Sequence, residues 1–99
     1  MALHDFDPLY EKYDDTVELM NSTFTSHEFI LTLAHRNQRE YIDALYAYRD
    51  SKDPFQIVHG VLAQRLLTCE NRIRHLGGVA SQDIFGHSNG CGQWEKVTA

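Results

Sequence analysis

Ninety-nine residues, 42% of them hydrophobic and 23% charged, are enough for one folded domain, and they exclude both a two-domain chain and a disordered chain. No run approaches the roughly 20 apolar residues that cross a bilayer, and the start Met1-Ala2-Leu3-His4-Asp5 lacks the basic-then-apolar plan of a secretory leader. The net charge of −5 is carried by residues 1–20, where six acidic side chains face Lys12 alone; from residue 21 onward eight basic and eight acidic side chains cancel.

In chain order, Asp7-Pro8 opens a helix, since Asp caps free amides and Pro fits the first turn. Leu9, Tyr13, Val17, Met20 and Phe24 recur every three or four residues, which predicts helix one over 8–21 with Glu11, Asp14, Asp15 and Glu18 on its wet side. The reading divides the chain into an acidic helical segment, 1–24, and a globular body, 25–97.

Thr25-Ser26-His27-Glu28 is a capping box, and Phe24 with Phe29 forms the hydrophobic staple around it. One long helix over 26–49 carries Phe29, Ile30, Leu33, Ala34, Tyr41, Ala44, Leu45 and Tyr48 on a common stripe; the alternative breaks it near Asn37. Asp53-Pro54 starts a third helix, 54–68, with Phe55, Val58, Leu62 and Leu66 at helical spacing, and Gly60 inside it predicts close packing against a neighbouring helix.

Beyond Cys69 glycines accumulate and helical spacing fades. Asn89-Gly90 suits a two-residue hairpin turn, which would pair Phe85 with Trp94 and Asp83 with Lys96. A helical turn from Ser81 to Gly86 is the rival, and Arg72 to Leu76 fits either a short helix or a strand. The fold class is therefore α+β and mostly helical: three amphipathic helices and a small C-terminal β-hairpin.

Across residues 25–97 this order of elements, a helical body followed by a hairpin, resembles the winged-helix arrangement. The resemblance implies a nucleic-acid or protein interaction module, a small accessory or regulatory domain, with Arg65, Arg72, Arg74, His75 and Lys96 as candidate anion contacts. A competing class is a protein adaptor or homodimer that uses exposed aromatics, Tyr46 off the buried stripe and Tyr10 on helix one. The acidic helix one raises a further idea, a tethered plug lying over the basic residues.

A third class, a small metal-binding protein, would draw on His87 and Cys91 with Cys69 and His75, but no closely spaced ligand pair announces it, and no metal or other cofactor is expected. Cys91 with His87 lacks a third orienting group and no nucleophile elbow or phosphate loop occurs, so the reading is non-enzymatic. Both cysteines read as reduced thiols in the cytoplasm, and the partner as a protein or a second copy ahead of nucleic acid, with no membrane.

Overall fold

The computed structural model describes residues 4–97. Helix one is divided. Helix α1, Asp7–Tyr10, and helix α2, Tyr13–Leu19, are separated by a turn at Glu11 and Lys12. Asp7 lies inside the helix rather than capping it; Asp5 takes the Asp7 amide proton instead, at 2.9 Å. Leu9, Tyr13 and Val17 are buried on the inner side as their spacing requires, and Tyr13 donates its hydroxyl to the Leu62 carbonyl.

The chain then becomes strand β1, Thr23–Thr25, and enters helix α3, Ser26–Arg36, with no intervening loop. Phe24 therefore belongs to a strand and not to the helical face assigned to it from spacing. The capping box forms as expected: the Glu28 amide donates to Thr25 Oγ1 at 3.1 Å, and the Thr25 amide donates to Glu28 Oε1 at 2.9 Å.

The long helix over 26–49 is corrected to two. Asn37 adopts a non-helical φ of −134° between α3 and helix α4, Gln38–Ala47. Its Nδ2 donates to the Leu33 carbonyl at 3.0 Å, satisfying one of the acceptors that a helix end leaves open. The break re-aims α4, so that Ala44 is fully buried while Tyr41, Leu45 and Tyr48 pack on the core's edge.

Helix α5, Pro54–Leu66, starts as read, with Asp53 Oδ1 accepting from the Gln56 amide at 3.1 Å. Val58, Leu62 and Leu66, one every fourth residue, are fully buried against the fully buried Phe29 and Leu33 of α3.

The hairpin is real but its register and turn differ from expectation. Strand β2, Ile73–Val79, settles the Arg72 to Leu76 ambiguity in favour of a strand, and it pairs antiparallel with strand β3, Cys91–Lys96. Trp94 faces His75 rather than Phe85, and Lys96 faces Ile73 rather than Asp83. Asn89-Gly90 does not form the tight turn, because the residues with positive φ are Gly77 and Gly86. Gly77, at φ 118°, sits in a β-bulge that leaves Leu76 unpaired within β2.

Strand β1 adds to the other side of β3, so the sheet order is β1-β3-β2. Trp94 on the central strand lies between Phe24 of β1 and His75 of β2, with the His75 ring centroid 4.6 Å from its own. Its indole N–H donates to Ser26 Oγ at 2.9 Å, which ties the sheet to the first residue of α3. Gly92 makes room for this layer, since a Cβ there would meet the His75 and Trp94 rings at 3.1 and 3.2 Å. The result is an α+β domain of helices and a three-stranded antiparallel sheet; among the described residues no helix is long and apolar enough to cross a membrane.

The Ser26 bond generates a prediction. Ser26→Ala strands a buried indole N–H and should lower unfolding stability by about 1–3 kcal/mol. Urea titration followed by fluorescence of the sole tryptophan measures it, with an unchanged slope showing that the denatured state is unaffected.

Candidate functional site

The candidate anion contacts do not form one open patch. Arg72, just ahead of β2, reaches back to α2: Nη1 lies 3.2 Å from Glu18 Oε1 and Nη2 lies 3.6 Å from Asp14 Oδ2. Lys96 Nζ donates to the Glu18 carbonyl at 3.1 Å. Arg74 on β2 is paired with Glu95 directly across on β3, and the His75 ring packs at a tilt against Trp94. The acidic helix α2 therefore rests on Arg72 and Lys96. These ion pairs are exposed, and pairs of that kind contribute ~1 kcal/mol or less each.

Arg65 has a different setting. From the last turn of α5 its guanidinium lies over the Tyr10 ring, 4.4 Å from the centroid, a cation–π contact that bridges α5 to α1. Burial raises the Tyr10 hydroxyl's pKa, with Arg65 opposing the shift. Tyr46 is 65% exposed on α4, with the Arg49 guanidinium 4.3 Å above its ring.

Arg65 and Tyr10 border the outer side of α5. At 100° per residue, the core stripe Val58, Leu62 and Leu66 leaves Gln56, Ile57, Gly60 and Gln64 pointing away, and all four are exposed. Together with Val61, Tyr10 and Arg65 they line a shallow groove. Gly60 does not pack against a neighbouring helix as its presence suggested: a Cβ built there would meet nothing within 4 Å. Its φ is not positive, so neither backbone conformation nor an intramolecular contact requires glycine at this position.

The flank of α5 toward the β2–β3 connection carries a second feature that the sequence did not reveal. A cavity of about 240 Å³ is lined by His27, Asp53, Phe55, Gln56, His59, Asp83, Phe85, His87 and Asn89. Asp83 organises the connecting loop: its Oδ1 accepts the Phe85 and His87 amides at 2.9 and 3.0 Å, and those bonds, His87's first, hold its carboxyl below the ordinary value. The loop is pinned by Phe85, whose ring meets Phe55 edge-on at 4.6 Å and lies nearly parallel to His59 at 6.3 Å. Ser81 Oγ, at the loop's start, is 3.1 Å from His27 Nδ1.

Behind that cluster, His59 Nε2 and the Tyr41 hydroxyl are 2.6 Å apart with their rings stacked. Burial lowers the His59 imidazole, more than nearby Asp83 and Asp53 raise it, and it pushes the Tyr41 hydroxyl up to about 12. The helical periodicity of His59, four residues after Phe55, was the available signal, but its partner Tyr41 comes from a different helix.

Among the described residues no group of three or more His, Cys, Asp or Glu side chains is arranged to hold a metal ion. Cys91 faces Val79 at one end of the hairpin, and Cys69, beyond α5, turns Sγ toward the Arg65 carbonyl at 3.6 Å. Both are free thiols, and burial raises that of Cys69. Compared with protein-family models, curated proteins and solved structures, the chain matches none.

Two outcomes follow from α5. Because the folded chain disfavours a charged His59, the unfolded chain binds that proton more readily, so the associated stability is present above the ordinary value of 6.5 and lost as pH falls below it. Thermal melts between pH 7.5 and 5 should show the loss, and His59→Gln should flatten it. Gly60→Ala, meeting no neighbour, should stabilise the dilute chain by about 0.4–1 kcal/mol in urea unfolding.

Proposed function

We propose that the chain is a non-enzymatic interaction module of winged-helix-like build, and that it engages a protein partner through the outer face of α5. The observation that carries the reading is that this face, Gln56, Ile57, Gly60 and Gln64, is covered by no other part of the described chain. The order helix, strand, helices and then strand–loop–strand supports the winged-helix likeness, with α5 in the position of the helix that such modules present to a partner.

The chemistry of the face favours protein over nucleic acid. Charged groups are scarce on it, amides and aliphatic carbons predominate, and its border supplies a tyrosine and an arginine, the residue types that anchor protein interfaces. Phosphate binding needs free cations, whereas Arg72, Arg74 and Lys96 are engaged within the chain. A cytoplasmic location belongs to the same proposal, since Cys69 and Cys91 are unlinked thiols.

Duplex nucleic acid is the second reading, favoured by the element order and by Gln56 and Gln64, whose amides have the chemistry to read base edges. One labelling experiment separates the two. Gln64→Cys is placed in a chain with Cys69→Ser and Cys91→Ser, and its thiol modification rate is measured in buffer, with duplex DNA, and in an extract of the cells that make the protein. The expected result is about ten-fold protection in the extract and none from DNA at about 0.15 M salt. Salt-sensitive protection by DNA would establish the nucleic-acid reading instead, and equal rates everywhere that also stay constant as the chain itself is concentrated would remove α5 as a contact face.

A further inference from the structure

We infer that the partner is a second copy of the chain, docked α5 to α5 in antiparallel fashion about Gly60. The inference rests on the reading of α5 as the contact face and adds its occupant. A two-fold interface must be self-complementary, each copy offering the same surface to the other. The outer side of α5 meets that condition.

Gln56 and Gln64 lie four residues before and after Gly60, about 40° to either side of it and about 6 Å away along the axis in each direction. A two-fold axis through Gly60 therefore sets Gln56 of one copy against Gln64 of the other, twice. Each carboxamide has donors and an acceptor to offer its counterpart. The same axis opposes Gly60 to Gly60 at the crossing point.

Without a Cβ on either helix, the axes can approach to the short end of the range for packed helices, about 8 Å. An intermolecular approach supplies the reason for glycine at a mid-helix position where the chain itself has none, since nothing in the fold comes within 4 Å of a Cβ there.

Charge complementarity points the same way. From its cap to its last residue, α5 has two formal charges: Asp53 at the N-terminal end and Arg65 at the C-terminal end. They are opposite in sign, so an antiparallel pair brings each Arg65 toward the other copy's Asp53 and the positive end of its helix dipole close to the other's negative end. A parallel pair would place like against like. Tyr10, Ile57 and Val61 in the groove's lining supply apolar area beside the crossing.

The test uses the full chain. Sedimentation equilibrium should find a dimer below about 1 mM, and Gly60→Ala, which strengthens the dilute fold, should weaken the dimer by about ten-fold or more. In the chain carrying Cys69→Ser and Cys91→Ser, Gln56→Cys and Gln64→Cys proteins should form disulfide-linked dimers when mixed under mild oxidation, and neither should do so alone. A dimer in which Gln56→Cys links to itself, or one indifferent to Gly60→Ala, overturns the antiparallel register. A chain that stays monomeric overturns the second copy as partner. If the Gln64 position is nonetheless protected in cell extract, the contact face stands with a foreign protein on it; if it is unprotected there as well, both readings fail.

Discussion

The fold depends on one junction, where Trp94 of the central strand is enclosed by Phe24 on one side and His75 on the other while its indole hydrogen bonds to Ser26. Burial of a ring of this size contributes several kcal/mol, and the polar N–H would subtract from that unless it found an acceptor. Ser26 provides one because the capping box at Thr25 fixes where α3 begins. The cap that starts the helix therefore also positions the acceptor that lets the sheet close. Partners on β1 and β3 are about 70 residues apart in the chain, so sheet closure carries a larger loop-entropy cost than the helical contacts do.

With that junction set, α5 serves two environments. Its inner stripe completes the core and its outer side is left bare, flanked on one edge by the Arg65–Tyr10 contact and on the other by the Phe55, His59 and Phe85 cluster. The candidate cations near the sheet are satisfied within the chain: Asp14 and Glu18 neutralise Arg72, and Glu95 neutralises Arg74. The outer side of α5 is, by contrast, a weakly charged face.

Local chemistry made part of this legible in the sequence. The Thr25 box, the Asp53-Pro54 start and the fourfold spacing of Val58, Leu62 and Leu66 each act within one or two turns, and each appears as read. Strand β1 was not legible, because three residues are too few to show an alternating pattern and the strand exists through a partner about 70 positions away. Asn89-Gly90 misled for the opposite reason: a sound local turn preference yielded to a register set by Trp94 and by the bulge at Leu76. Of the candidate site, Arg65 and Tyr10 were named for unrelated reasons, as an anion contact and as an interface aromatic, and the structure stacks one on the other. His59 with Tyr41 depended on how the break at Asn37 swings α4 against α5, which spacing along either helix does not encode.

Strand β2 is the longer outer edge of the sheet, seven residues whose far side has no strand beside it among the described residues. Its bulge interrupts that border at the middle, where Leu76 drops out of the ladder and Gly77 bends the backbone. An incoming strand would find the donor and acceptor spacing matched on one half and offset on the other. The kink thus works against edge-to-edge pairing of this strand with the sheet of another molecule.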